Sequence, residues 1–559
     1  MGEAPAPGRL FRTVRHLRPR QIVSRLRRAI VPVGFDASPA PPRRAADATH
    51  ARPIARRDGW IEPRRVRLLN REQEYGESID WSPPDEPDLW TCTLHSFTDL
   101  PGTVESGDRP WMPGIVADWI VANPPGASWA WNTYATSRRV VNWILWILAD
   151  PDVPEGFERS LATQIRHVAR TLEVHLMANH LLANACALVA GGLFFDGPEA
   201  ERWLEAGFGI LDREIPEQVL ADGGHFERSP MYQGVIAEDL LDLLNLGRVF
   251  PAALGGAGAE TFASIADAAE RMLGWLATMI HTDGEIAFFN DATLGVAPTY
   301  GELCQYSEAL GVPVDVPSLG RVTNLAESGY VRLASADART LAFFDAGAIG
   351  PDYQPGHSHC DTLSLEVSRN GRRILVNSGT STYERGEERL RERRTAAHTT
   401  VRIDGAEQSE VWASHRCGRR ARPIDVAVGE NWAQAAHDGY RQLAGGPMHR
   451  RRVAVLDDRV VIRDAVEGAG EHLVEWFFHL HPGIDVAIDG GQATLSAGGS
   501  PIGLLRFPEG LELRAVAGEW HPGFYLSRRN VAIVASTRAR LPADVEVVLA
   551  FETDEPSGA

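Results

Sequence analysis

Residues 356–383 read GHSHCDTLSLEVSRNGRRILVNSGTSTY. Two apolar runs separated by the turn signal RNGR predict a β-hairpin, and His357 and His359 stand at its mouth. Alternate side chains of a strand share a face, so both imidazoles would point the same way if the strand begins at these residues. Such a pair suits a metal site or a proton-transfer site, although His-x-His taken alone favours two solvated loop histidines.

The sequence that surrounds this hairpin has the same character. After about Glu327, runs such as TLAFFDAG, RRVAVLDDRVVIRDAV and DVEVVLAFE alternate or are apolar over strand lengths, with turn signals between them. About 230 residues of this kind predict an antiparallel β-sandwich.

The preceding part of the chain is helical in pattern. Segments such as SRRVVNWILWILAD and GVIAEDLLDLLNLGRVF carry apolar residues at three- and four-residue spacing, with short loops between them. Successive helical hairpins predict an α/α barrel or toroid. We therefore place a basic segment and linker at 1–58, a helical domain at 59–322 and the sandwich at 323–559.

The composition excludes several classes of partner. A net charge of −18 leaves no large basic footprint and argues against nucleic acid. No apolar run is long enough for a membrane span. The five cysteines are widely spaced and lack a CxxC pair, which fits a reducing compartment.

The first residues are rich in arginine but lack the apolar stretch of a secretory signal. A cytoplasmic location is therefore expected, with export by an unusual route as the alternative. For this segment a helix packed on the body is expected in preference to a membrane-surface helix.

Three stretches concentrate reactive side chains. MANHLLANA contains Asn179 and His180, which could also be ordinary polar groups of a helix. ADGGHFERSPMYQG predicts an irregular loop, with Ser229 as cap of a helix that begins near Pro230. The third is the opening stretch with its continuation RLRERRTAAHTTVRIDG. The candidates in the last two stretches are His225, Glu227, Arg228, Tyr232, His357, His359, Tyr383, Arg393, Arg394 and His398.

These side chains suit removal of a proton next to a carboxylate. The C5 hydrogen of a uronic acid becomes acidic only when its carboxylate is neutralised, which Asn, Arg or a charged His can do. A His or Tyr base then takes the proton, and a Tyr or His acid protonates the leaving glycosidic oxygen. Hydrolysis would require two opposed carboxylates, and no such pair stands out.

The ordered motifs NHLLAN, DGGHFERSPMY, GEIAFFND, GHSHCDTLSLE, ILVNSGTSTY, RTAAHTTV and SEVW resemble the heparinase II/III family of polysaccharide lyases. The resemblance runs from about Trp81 through the sandwich. It implies an incomplete (α/α) toroid followed by an antiparallel β-sandwich, and β-elimination on uronate-containing polysaccharides such as glycosaminoglycans or alginate.

The resemblance also implies roles for single residues. Asn179 and His180 would neutralise the substrate carboxylate, His180 being a candidate base as well, Tyr232 would be the phenolic acid or acid/base, and His357 the sandwich-side catalytic histidine. His225 and Glu227 are expected to be a pair holding Tyr232, within a substrate-binding set that also contains Arg228, Tyr383 and Arg394.

A structural metal ion is implied at His359, Asn377 and His398, with Zn²⁺ expected and Mn²⁺ or Ca²⁺ as alternatives; no organic cofactor is expected. Asn377 stands where the family pattern has an aspartate, and a neutral amide is a weaker ligand. Gln233 and Thr399 also depart from the pattern, which has His and Asn there. A non-catalytic polysaccharide-binding or assembly protein on the same scaffold is the main alternative, and a glycoside hydrolase a weaker one. The oligomeric state is left open.

Overall fold

The computed structural model describes residues 7–56, 58–102, 109–127, 129–149, 153–314, 316 and 318–551. Within them the chain is a helical half followed by a β half, as the sequence predicts. The α-helices are α1 Pro7–Val14, α2 Pro19–Ile30, α3 Asp88–Ser96, α4 Met112–Ala122, α5 Thr133–Ala149, α6 Phe157–Arg170, α7 Ala178–Phe194, α8 Pro198–Gln218, α9 Pro230–Val249, α10 Pro251–Thr278, α11 Tyr300–Leu310 and α12 Glu387–Arg393.

The helical half is an α/α toroid built around α7. This helix is buried along almost its whole length and packs against α5, α6, α8 and α9. Its small residues allow close approach: a Cβ at Gly192 would lie 2.8 Å from the Ala200 carbonyl of α8. None of the described helices is long and apolar enough to cross a membrane.

A small sheet precedes the toroid, and the β half contains the remaining strands, all paired antiparallel. The strands are β1 Gly59–Glu62, β2 Arg65–Leu68, β3 Arg71–Glu74, β4 Val322–Leu325, β5 Tyr330–Ala334, β6 Thr340–Asp345, β7 Leu365–Arg369, β8 Arg372–Leu375, β9 Val401–Ile403, β10 Val411–Trp412, β11 Arg416–Cys417, β12 Pro423–Val428, β13 Trp432–His437, β14 Met448–Val455, β15 Arg459–Glu467, β16 Glu471–His479, β17 Asp485–Asp489, β18 Gln492–Ala497, β19 Ser500–Arg506, β20 Glu512–Trp520, β21 Arg528–Arg540 and β22 Ala543–Phe551.

The five-stranded sheet β4-β5-β6-β7-β8 lies between the two halves. Along β5, Tyr330 and Ala334 join the core of the toroid, whereas Val331 and Leu333 join the core of the sandwich. Both faces of this strand are therefore buried, which explains why every residue except Arg332 is apolar. The eight-stranded sheet, in the order β12-β13-β14-β15-β22-β19-β18-β17, and the four-stranded sheet β20-β21-β16-β9 complete the sandwich.

The predicted hairpin is present, but it begins later than expected. His357 and His359 lie in an irregular loop, and the first strand, β7, starts at Leu365. The strand therefore does not align the two imidazoles. Both imidazoles instead contact the carboxylate of Asp291.

Candidate active site

Asn179 and His180 lie at the start of α7, where the chain enters the toroid core. The two residues before Asn179, Met177 and Ala178, have positive φ values of 63° and 52°, a strained entry that places Asn179 beside the loop 222–229. The Asn179 amide Nδ2 donates to both carboxylate oxygens of Glu227, at 2.9 and 3.1 Å. Glu227 therefore holds Asn179 in place.

The loop 222–229 ends at the predicted helix cap. Ser229 Oγ accepts from the Tyr232 backbone N–H at 3.1 Å, and α9 begins at Pro230. The expected pairing of His225 and Glu227 around Tyr232 is wrong: His225 Nε2 meets Gln218 Oε1 at 3.1 Å, while Glu227 contacts Asn179 and His357. Burial lowers the pKa of His225 to about 4, so it is a neutral core residue.

His357 lies between two buried carboxylates. Its Nδ1 is 2.9 Å from Asp291 Oδ2, and its Nε2 is 3.1 Å from Glu227 Oε2. The Asn179 amide is also near, with Nδ2 3.4 Å from His357 Nε2. The sequence motifs of the toroid and of the sandwich thus meet at one imidazole.

Asp291 is the main residue that sequence reasoning did not assign a role. Its two oxygens accept from the Arg389 guanidinium, Oδ1 also meets His359 Nε2 at 2.8 Å, and Oδ2 meets His357. Burial opposes its charged form, but Arg389 and the two histidines outweigh burial and hold the pKa of Asp291 well below its usual range. Shared binding to Asp291 is what directs His357 and His359 toward one point.

Tyr232 packs against His357, with ring centroids 3.9 Å apart and ring planes tilted by 33°. The Tyr232 hydroxyl lies 3.2 Å from that of Tyr383, which reaches the site from the sandwich side. Burial raises the pKa of both phenols well above 10, so both keep their protons at neutral pH. The phenol pair borders a cavity of about 490 Å³, also lined by Tyr134 and Arg138.

His180 pairs with a buried carboxylate beside this site. Its Nδ1 is 3.2 Å from Glu173 Oε1, and its ring packs on Tyr134 at 4.6 Å. Burial lowers the pKa of His180, but the buried Glu173 carboxylate outweighs this, so the pKa lies above its ordinary value. The Asn184 amide donates to the other oxygen of the Glu173 carboxylate at 3.1 Å and so helps to hold that carboxylate in place.

Two predicted substrate-binding arginines have different surroundings. Arg228 is a structural clamp, because its guanidinium donates to the carbonyls of Ala348 and Glu327, at 2.5 and 3.4 Å. Its role as a substrate ligand stays a prediction. Arg394 is exposed, with its guanidinium 3.5 Å from Glu387, and its role stays a prediction. The neighbouring Arg393, another candidate, is buried and donates to the Ser358 carbonyl at 2.9 Å.

The residues expected to hold a metal ion have protein partners in this structure. The Asn377 side chain donates to the Phe288 carbonyl at 2.8 Å and accepts from the Thr399 N–H at 3.1 Å. His359 Nδ1 and His398 Nε2 are hydrogen-bonded to each other at 3.1 Å. The Asn377 amide therefore ties neighbouring segments together directly, the two histidine nitrogens face each other, and the metal ion stays a prediction to which no chemistry is assigned.

A different group of potential ligands occurs elsewhere in the described part of the chain. The side chains of Glu388, Glu519 and His521 come together there. The Arg391 guanidinium lies among them, 2.7 Å from Glu519 and 3.0 Å from His521 Nε2. A cation already occupies this group, so it does not replace the expected metal site.

Comparison with known proteins agrees with this architecture. The family profile "Heparinase II/III N-terminus" matches residues 106–308, and "Heparinase II/III-like, C-terminal" matches residues 317–555. A crystal structure of heparinase III superimposes with a TM-score of 0.66 at 17% identity, covering 87% of this chain and 81% of that one.

Of two relatives with similar sequences, one is named as a lyase and the other as a protein that localises with FtsZ. A heparin-sulfate lyase of Bacteroides stercoris is 24% identical over 460 residues, 73% of this chain and 67% of the relative. FtsZ-localized protein C of Caulobacter vibrioides is 25% identical over 540 residues, 91% of this chain and 88% of the relative. The two profiles together span well over half of the sequence, and the chain therefore belongs to the heparinase II/III family of polysaccharide lyases.

Proposed function

We propose that this protein cleaves uronate-containing polysaccharides by β-elimination and leaves 4,5-unsaturated uronate ends. The observation that carries the proposal is the convergence of Asn179, Tyr232 and His357 from two halves of the chain. Amide, phenol and imidazole are the groups this elimination requires. Glycosaminoglycans are the favoured substrates because two relatives are named heparin-sulfate lyases, and alginate is the alternative.

The base in this proposal is His357 Nε2. Asp291 stays ionised because its pKa is held low, so it keeps the proton on His357 Nδ1 and fixes the tautomer. Nε2 is then the nitrogen that can exchange a proton, and a proton on it can pass to Glu227, 3.1 Å away, which leaves the Nε2 lone pair free to act as the base. An approaching C5–H would transfer its proton to this nitrogen.

The acid is Tyr232. Burial keeps its phenol protonated, and its hydroxyl borders the cavity that would hold the sugar next to the scissile bond. Tyr383, 3.2 Å away, can hydrogen-bond the phenolate left after the proton has moved to the glycosidic oxygen.

Asn179 and His180 would neutralise the uronate carboxylate. The raised pKa of His180 favours an imidazolium, whose charge offsets the carboxylate and the enolate that develops from it. Asn179 is already aligned by Glu227, so its amide needs little reorganisation.

Hydrolysis by two carboxylates fits this site poorly. The acids nearest to the site, Glu227 and Asp291, bind opposite nitrogens of the same imidazole. Both are buried, and neither faces the cavity as a free acid or base.

The test is ultraviolet absorbance of the unsaturated uronate, with reducing ends measured in parallel. Heparan sulfate, hyaluronan, chondroitin sulfate and alginate would each be incubated with the protein, and with Tyr232→Phe. We expect absorbance to rise with one polymer and to fall at least about 100-fold in the variant. New reducing ends without absorbance would mean hydrolysis and would overturn the proposal.

A second candidate is a polysaccharide-binding or assembly role without turnover. Its support is the similarity to FtsZ-localized protein C, which extends over 91% of this chain. Absorbance and reducing ends unchanged on all four polymers, together with retention on an immobilised polymer or on FtsZ, would favour this role. If wild type and Tyr232→Phe are then retained equally, binding does not depend on the Tyr232 hydroxyl.

A further inference from the structure

Large apolar side chains are exposed mainly at the start of the chain. Of the fifteen that are exposed among the described residues, nine lie between residues 10 and 33. They are Leu10, Phe11, Val14, Ile22, Val23, Leu26, Ile30, Val31 and Val33. Single exposed apolar residues are ordinary, but a cluster of this kind marks a binding surface. We refer to residues 7–33 as the N-terminal element.

The first helix of this element turns its polar side toward the body of the protein. The Arg12 guanidinium donates to Glu410 at 2.7 and 2.8 Å, and the buried Thr13 hydroxyl accepts from Trp412 Nε1 at 3.0 Å. Leu10, Phe11 and Val14 of the same helix face outward.

The second helix is oriented in the same way. The buried Gln21 amide donates to the Tyr353 carbonyl at 3.3 Å, and Arg25 donates to the His175 carbonyl at 3.2 Å. Ile22, Val23 and Leu26 are exposed. An amphipathic helix that packs on a protein normally buries its apolar side, so both helices have the reverse orientation. The segment is thus packed on the body as the sequence predicts, but with its apolar side outward.

The N-terminal element is strongly basic in an acidic protein. Eight arginines and no acidic residue lie between Glu3 and Asp36, whereas the whole chain has a net charge of −18. The arginines are Arg9, Arg12, Arg15, Arg18, Arg20, Arg25, Arg27 and Arg28. Of these, Arg15, Arg27 and Arg28 are exposed beside the outward apolar residues.

We propose that the N-terminal element binds the surface of an anionic lipid bilayer, with its outward apolar residues among the acyl chains and its exposed arginines at the headgroups. An outward apolar side flanked by exposed arginines is the arrangement of an interfacial helix. A second copy of this chain fits less well, because pairing the two outward surfaces would bring the three exposed arginines of each copy together.

This docking would place the bilayer next to the catalytic cleft. Gln21 and Arg25 bond to the loops that lead to His357 and Asn179, each four residues before the catalytic residue. A polymer held close to the membrane would then be within reach of the site.

The experiment is co-sedimentation of the full chain with phosphatidylcholine vesicles, with and without phosphatidylglycerol. We expect binding at least roughly tenfold tighter to the anionic vesicles, weakened by salt. Val23→Glu with Leu26→Glu should reduce it roughly tenfold or more, because two charges would enter the acyl region. Val121→Glu, at a position 82% exposed on α4, is the matched control and should bind as wild type does.

Several results would overturn the proposal. One is the absence of sedimentation with either vesicle, and another is equal binding to neutral and anionic lipid. An equal loss in Val121→Glu would show that the effect is not local. If the paired variant instead converts a dimer to a monomer without lipid, a second copy covers the surface. Thermal unfolding of each variant should match wild type, which separates lost binding from lost folding.

Discussion

At the scale of single residues, Asp291 determines how His357 can act. It contacts His357, His359 and Arg389 from a fully buried position. Removing its charge would release the His357 tautomer and leave Arg389 buried without its counterion. Asp291→Asn should therefore lower kcat about 100-fold or more and the free energy of unfolding by about 3–5 kcal/mol.

Turnover and urea unfolding of Asp291→Asn would be compared with Asp485→Asn, an exposed carboxyl of β17. The control should change neither quantity by more than about 0.5 kcal/mol. Normal turnover by Asp291→Asn would contradict the positioning role of Asp291.

The charge on His180 should set an alkaline limit on activity. Because Glu173 raises the pKa of His180, the imidazolium persists above its ordinary range and is lost as pH rises through the raised value. Glu173→Gln should move the alkaline limb of the kcat/KM profile to lower pH. Glu308→Gln on the exposed side of α11 is the control. An unmoved limb in Glu173→Gln would mean that His180 charge does not support the reaction.

The sequence predicted some of these residues and missed others for a physical reason. Asn179, Tyr232 and His357 carry recognisable motifs, and the structure brings them together. Asp291 lies in the recognised motif GEIAFFND, but its role depends on Arg389, 98 residues away in sequence. Spacing along the chain does not reveal a partner at that distance.

At the scale of elements, the loop 222–229 depends on one glycine. Gly223 has a φ of +85°, and a Cβ there would lie 2.1 Å from the Arg271 carbonyl oxygen. Gly223→Ala should lower the free energy of unfolding by at least about 3 kcal/mol, since the clash adds to backbone strain. It should also lower turnover, because Glu227 in this loop holds Asn179.

Gly284→Ala provides the matched control for this loop. Its φ of +86° is nearly the same, but no atom lies within 4 Å of the added Cβ. A cost of only about 1–2 kcal/mol is expected from backbone strain. Equal costs at the two glycines would show that the contact with Arg271 does not matter.

The hairpin of β7 and β8 shows which elements the sequence predicts well. RNGR correctly marked the turn between β7 and β8, because turn chemistry is local. The irregular loop that holds His357 and His359 was interpreted as strand, because it is ordered by bonds to Asn290, Asp291 and Arg393 from other segments. Local propensity contains no information about those bonds.

At the scale of the whole molecule, five buried histidines should make stability depend on pH. Burial lowers the pKa of each to about 3 or 4. They are His95, His167, His225, His359 and His479. The unfolded chain binds protons that the folded chain does not, so stability is complete above the ordinary histidine pKa and is lost as pH falls toward 4.

Each of these histidines should contribute a loss of stability between pH 6.5 and pH 5, while buried carboxyls with raised pKa, Asp239, Asp361 and Glu392, act in the opposite direction. His225→Gln should weaken this dependence, because its side chain has no proton to gain in this range. Wild type should therefore lose roughly 1.5 kcal/mol more than His225→Gln over this range, and equal losses would show that the fold does not hold His225 neutral.

The assembly of one lyase centre from two halves of the chain is the central claim. The most direct measurement is the rate of unsaturated-uronate formation by wild type, Asn179→Ala from the toroid, His357→Ala from the sandwich, and the double variant. Each single change should lower the rate about 100-fold or more, and the double variant should be little worse, because residues that act as a unit lose their effect together. Wild-type rates in either single variant, or losses that simply multiply in the double variant, would contradict a shared centre.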